Sequence, residues 1–491
     1  MRTSTLKLAP SAAAIAVLSL TIAAACGGGG AEPTPTVSPE APSTPAPTFG
    51  PPTTPEAPNA RFVPAEPPFF TGEESDDPFA GELPGPTGWR VYLVRGEGRP
   101  ELIYETKRWL QDLQWSPDGR TVMARFRSAA AGGLSYLRGM MFFDVSSPTV
   151  ATSELLMEHT RLIYPSPDGS QLAFEVVPDD SSAARDVYVA DRDKHAQKLE
   201  GLGEKARLIG WLPDGSGLLV YTVTGPTISH GLLYLVPLAG GPATLVNQEA
   251  SYHYQVAWSP EGTRLAYVSG GDLHVFDRAS GQSRQVTFGT GYQFAVPKWS
   301  ADGSEVILGG DLIDLATGDV VASLVPPGQV IDSTLSPDGR YFVATEPCEG
   351  YPPPHRIHLY DKKTGETRLL RDCDEAVSAH LRWLPDGHHL LVKEPSCYGC
   401  ETVTFSITSM DVESGDVVAL TDGLEPHAAA CASPDGGRVL VTGKALRLYT
   451  QDGQLLRVLP APEGFDVAAA AWSPDGSIFA YVIGPAGFFL L

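Results

Sequence analysis

Apart from Cys26, the cysteines are Cys348, Cys373, Cys397, Cys400 and Cys431, gathered in one stretch of the chain. Clustered thiols can close disulfides, run a dithiol couple at Cys397-Tyr398-Gly399-Cys400, or hold a metal together with His380 or His427. The spacing matches no zinc pattern, and no strand–helix–strand pattern surrounds the Cys-x-x-Cys, so structural disulfides are the preferred reading and no metal or cofactor is expected. Cys348–Cys373 and Cys397–Cys400 are the preferred pairs, leaving Cys431 free; pairing of Cys431 with Cys397 or Cys400 is the open alternative. A second set of chemical candidates is the acidic series Asp118, Asp168, Asp214, Glu261, Asp302, Asp338, Asp386, Asp435 and Asp475. Carboxylates are general acids and bases, but nine equivalent positions do not make one active site, so no catalytic residue is assigned. No Gly-x-Ser-x-Gly elbow, P-loop, dinucleotide fingerprint, His-Glu-x-x-His or calcium loop accompanies them.

The elements that position these residues follow from the repeat in which the acidic series sits. Each carboxylate occupies the fourth place of a Trp-Ser-Pro-Asp-Gly turn or a close variant, as in Trp115-Ser116-Pro117-Asp118-Gly119 and Trp472-Ser473-Pro474-Asp475-Gly476. The turn glycines lie 36 to 50 residues apart, the length that one four-stranded propeller blade consumes. Proline presets the turn, the serine hydroxyl caps it, and glycine supplies positive φ. Apolar runs after the turn, such as Leu218-Leu219-Val220-Tyr221, suit strands covered on both faces. Third strands end in Asp-x-x-Ser/Thr-Gly hairpins, for example Asp277-Arg278-Ala279-Ser280-Gly281. The recurrent tryptophan is expected to pack in the groove between blades.

The fold class is therefore all-β: a single β-propeller of about nine, alternatively eight, four-stranded blades. Trp89–Val94 and Glu101–Glu105 read as a hairpin that completes a C-terminal half-blade and removes exposed edges. Phe488–Leu491 is the competing choice for that third strand.

The Trp-Ser-Pro-Asp-Gly units resemble the WD40-like repeats of TolB-type propeller proteins over roughly residues 89–491. Tryptophan is missing from the units at Pro165, Leu335 and Ala432, and Ala301 replaces the proline of another. The resemblance implies a cell-envelope propeller that binds other proteins or ligands, in a family whose members differ widely in partner.

On such a ring, loops joining second to third strands share an end with loops joining blade to blade. Cys348, Cys373, Cys397 and Cys400 fall at that end, with Cys431 beside it; the Asp-Gly turns fall at the other. The same end carries Tyr252, His253, Tyr254, Tyr292, Phe294, Tyr351 and His355, with His380 and His427 near the cysteines. Tyrosine and histidine around a channel mouth build adaptable binding surfaces, so this face is the expected binding face.

Residues 1–25 read as a signal peptide, and Ala23-Ala24-Ala25-Cys26 resembles a lipobox, which implies a diacylglyceryl group on Cys26. Residues 26–85, rich in Pro, Thr and Gly, read as a disordered tether spanning about 45 Å when flexible; residues 86–491 are the propeller. Export and anchoring to a bacterial cell membrane, facing the periplasm or cell exterior, follow from that reading. The chain carries 35 Lys and Arg against 58 Asp and Glu, a net charge of −23, which disfavours nucleic acid and leaves the lipid as the only membrane contact. The expected function is a non-enzymatic binding scaffold for a protein, peptide or glycan of the cell envelope. The alternative is a propeller enzyme, a hydrolase or lyase, with its site in the central channel. Convergence of His, Asp, Glu or Arg near strained backbone would favour the enzyme.

Overall fold

The computed structural model describes residues 61–65 and most of 88–486, and every regular element among them is a β-strand. The strands form nine antiparallel sheets, one per repeat unit. Eight sheets run consecutively from inner to outer strand, the first blade over 109–157 and the eighth over 430–460. The ninth is composite: Phe465–Trp472 and Ile478–Pro485 from the C-terminal end pair with Trp89–Arg95 and Glu101–Thr106 from the N-terminal side. Closure is thus as expected, with nine blades and no degenerate unit, while Phe488–Leu491 lies outside the described residues.

The core is distributed rather than central. Each of the nine junctions between neighbouring blades holds its own apolar cluster. One joins Met123, Met140 and Phe142 of the first blade to Leu172 and Phe174 of the second. The cluster that closes the ring joins Trp89, Leu93 and Val482 to Trp115, Val122 and Phe143. Second and third strands therefore face apolar neighbours on both sides, which accounts for their unbroken Leu/Val/Tyr runs.

Polar devices repeat with the same period. In the first turn Ser116 Oγ donates to Asp118 at 2.6 Å and accepts the Thr121 N–H at 2.9 Å, while Gly119 takes φ +68°. The turns also touch one another around the ring. A Cβ at Gly262 would lie 2.8 Å from Pro213 of the preceding turn, and one at Gly119 would lie 3.6 Å from Pro474 across the closure. The tryptophan indole does more than fill a groove: Trp115 Nε1 donates to Ala471 O at 3.0 Å, Trp211 to Tyr164 O at 2.8 Å and Trp299 to Ala257 O at 2.8 Å. In each case the acceptor precedes the equivalent position of the preceding blade. Trp258 and Trp383 make no such bond among the described residues, the Trp383 Nε1 being buried without an acceptor there.

Arg61–Ala65, inside the stretch that composition assigns to the tether, forms a strand antiparallel to Ala196–Glu200 and makes the second blade five-stranded. The outer strand of any blade presents unpaired backbone donors and acceptors. Pro64 is tolerated there because an edge strand can leave one side without a donor.

Candidate functional site

The end of the ring opposite the Asp-Gly turns is built unevenly. Blades four, five and eight cross from second to third strand in tight hairpins, Arg264–Ser269 to Asp272–Asp277 for example. Longer connections leave Thr121–Ala129 for Tyr136–Asp144, Gln171–Val176 for Asp186–Asp191, and Tyr341–Pro347 for His355–Asp361.

In the sixth blade the longer connection is stapled. Cys348 and Cys373 form a disulfide with Cα atoms 5.9 Å apart, tying it to the segment that leaves for the seventh blade. Around the staple lies a charged network. Asp372 accepts the Cys373 N–H at 2.7 Å and Arg356 Nε at 2.9 Å, while Arg356 also lies 3.5 Å from Glu346. His358 Nε2 stands 3.1 Å from the same Glu346 carboxylate. The Cys373 N–H first, and then the Arg356 guanidinium, hold the Asp372 carboxyl below its usual range.

His355 opens the strand His355–Asp361 opposite Pro347 and is partly exposed next to the staple. His380 opens His380–Trp383, in register with Lys393. Tyr292 corrects its expectation. It is buried at 4 % exposure, its hydroxyl donating to the buried Asp311 and its N–H to Gly271 O at 2.8 Å, so it packs the junction between the fourth and fifth blades instead of meeting a ligand. An aromatic beside glycines in a tight connection fills the space they leave. Cys26, Tyr252, His253, Tyr254, Phe294, Tyr351, Cys397, Cys400 and His427 lie outside the described residues. Cys431 is a free thiol whose sulfur donates to Ala470 O at 3.4 Å. Part of the residue reaches the surface, but enclosure of the sulfur pushes its pKa up to about 12, so it is held as an inert thiol.

Two groups of residues were missed by pattern reading. Arg264 and Arg438 each stand two places after a turn glycine. Each donates to the turn carbonyl of the next blade, Gly303 at 2.8 Å and Gly476 at 2.9 Å, and lies over that blade's tryptophan. Their shared place in the repeat was the available signal. The second group lines a cavity of about 270 Å³ between the first and second blades: Gln111, Asp112, Arg125, Arg127, Arg138 and Tyr164, with Phe126 and Ile163. A β-bulge between Leu110 and Asp112 brings Gln111 and Asp112 to it. Charged groups converge there on relaxed backbone; Lys194, far along the second blade, is the one non-glycine residue at positive φ among the described residues.

No family model matches the chain. An uncharacterized protein of Agrobacterium fabrum is 29% identical over 186 residues, covering 35% of this chain and 60% of that relative. Solved structures with a similar course include a eukaryotic initiation factor, at 14% identity and TM-score 0.49 over 76% of this chain and 96% of that one. A protein of Agrobacterium tumefaciens provisionally described as TolB gives 15% identity and TM-score 0.30 over 82% and 100%. The C-terminal WD40 domain of Sif2 gives 13% and 0.39 over 66% and 95%.

Proposed function

We propose that the chain is an exported, lipid-anchored propeller acting as a non-enzymatic binding scaffold for a protein, peptide or glycan of the bacterial cell envelope. The observation that supports this reading is the asymmetry between the two ends of the ring. At one end the turns are braced internally by serine caps and tied to one another by glycine–proline contacts and tryptophan bonds. At the other, longer connections and charged groups are mounted on that rigid frame, one of them held by the Cys348–Cys373 disulfide. Loops of this kind on a stiff support are where recognition is usually carried.

Capture from envelope extract with the tagged full chain tests the role. The Cys348→Ser/Cys373→Ser variant should lose the captured species, whereas Asp435→Asn, at the turn end, should retain it. Capture that ignores the disulfide but fails with Asp435→Asn would overturn the reading. Cys26→Ser should move the protein from the membrane to the soluble fraction; unchanged membrane retention would remove the anchor.

A further inference from the structure

The second blade is the one blade with a fifth strand among the described residues. That strand marks a site at the rim of the ring, separate from the stapled connection. We infer that the outer edge of the second blade, Ala196–Glu200, is an acceptor for an extended peptide strand, and that Arg61–Ala65 is its resident, displaceable occupant.

The propeller does not require a fifth strand, since the eight other blades are complete with four. The extra strand pairs antiparallel over five consecutive residues without a register shift, from Arg61 opposite Glu200 to Ala65 opposite Ala196. Ala196–Glu200 pairs with the third strand of its own blade over only three residues, Ala196, Gln197 and Lys198. Leu199 and Glu200 therefore reach past that pairing, and their ladder partners are Phe62 and Arg61. A strand edge is a row of main-chain donors and acceptors, and addition of an extended segment is the way such a row is satisfied.

The resident strand is suited to covering the edge and to leaving it. Five residues make a short edge element, which opens locally at a small fraction of the cost of global unfolding. Pro64 blunts its free side, so the resident covers the acceptor without offering a full new edge of its own. Its advantage over a competing strand is its covalent place in the chain, which sets an effective concentration on the order of millimolar.

The acceptor also discriminates at alternate positions. Leu199 is buried in the apolar cluster with Ala206, Leu208 and Trp211 that joins the second blade to the third. Lys198 is committed to Asp186 at 2.8 Å. Glu200 supplies a carboxylate at the far end of the edge, in a chain of net charge −23. The partner segment that fits carries a basic residue in register with Glu200, followed by an apolar one in register with Leu199. Arg61 and Phe62 occupy those two register positions in the resident strand.

The test uses the full chain and a fluorescent synthetic peptide of residues 57–68, followed by anisotropy. With Pro64 on the free side, alternation turns the Val63 N–H toward the acceptor, so Val63→Pro in the protein removes the middle donor and frees the edge. Amide exchange at Leu199 and Glu200 should rise with it; if exchange stays at the native level, deletion of residues 61–65 makes the same test. The peptide should bind the freed protein saturably and at least tenfold more tightly than the native one. Val63→Pro in the peptide should abolish binding, and Arg61→Glu in the peptide should weaken it several-fold by setting like charges opposite one another. Equal affinity for native and freed proteins, or undiminished binding of either altered peptide, would overturn the assignment. A native protein that sediments as a dimer and becomes monomeric on Val63→Pro would also overturn it, because the strand would then be exchanged between two copies.

Discussion

The buried serine of the turns that carry one, all but those at Leu212 and Leu384, holds two groups at once. Ser116 is fully buried, donating to Asp118 and accepting the Thr121 N–H. Ser116→Ala leaves that N–H enclosed without an acceptor and should cost about 1–3 kcal/mol, read as a shift in the guanidinium unfolding midpoint; an unshifted midpoint would show the cap to be idle. The acidic member of the turn responds to pH. The Ser473 and Ser477 hydroxyls and the Ser477 N–H hold Asp475 at about 2, and the Ser300 hydroxyl and the Ser304 N–H do the same for Asp302. Both lie below the unfolded value of roughly 3.9. A depressed folded pKa gives stability that is complete above the unfolded value and is lost as pH falls through the folded one. Stability should therefore fall between about pH 4 and pH 2, and Asp475→Asn should flatten part of that fall. A native-state midpoint that is constant across this window would contradict the account. At this scale the turn chemistry was legible because serine, proline, aspartate and glycine each have a local reason to be there. The role of Arg264 was not, since its acceptor, Gly303 O, belongs to the next repeat.

Among the elements, the stapled connection of the sixth blade carries the clearest consequence. The disulfide closes a loop with a sequence separation of 25 residues, and in the chain-entropy model such a closure contributes about 2–4 kcal/mol. Cys348→Ser/Cys373→Ser should lower stability by that order and raise hydrogen exchange in Tyr341–Pro347 and His355–Asp361 before other blades. Equal exchange in all blades would mean the staple is energetically silent. Pairing of these cysteines was readable once the repeat assigned both to one end of one blade. Burial of Tyr292 was not, because its hydroxyl partner Asp311 sits on the following blade. The convergence of Arg127 and Arg138 was likewise hidden: only the register of two strands around an intervening connection brings them opposite each other. The strand Arg61–Ala65 escaped notice because five residues containing a proline carry too little pattern against a Pro-rich background.

For the whole molecule, stability rests on closure, since each blade is covered only by its neighbours. The ring is shut by Trp89–Arg95 pairing with Ile478–Pro485 and by Trp115 donating to Ala471 O at 3.0 Å. Removing residues 86–108 should uncover the Ile478–Pro485 edge and abolish cooperative thermal unfolding. Grafting the same residues after residue 486 should restore it, as the hairpin then completes the blade from the other end. A truncated chain that melts like the intact one would show closure to be unnecessary. Closure was legible from the two chain ends, and the period gave about nine blades with eight left open, because a four-stranded unit cannot bury both faces without a neighbour on each side.

The central claim, that recognition occurs at the loop-bearing end of the ring, is tested most directly by photo-crosslinking in intact cells. A crosslinking residue is placed at exposed Asp372 beside the disulfide, and in a parallel strain at exposed Thr263 on a turn at the other end. Discrete adducts from position 372 and none from 263 are the expected result. Adducts from 263 alone, or from neither, would contradict it.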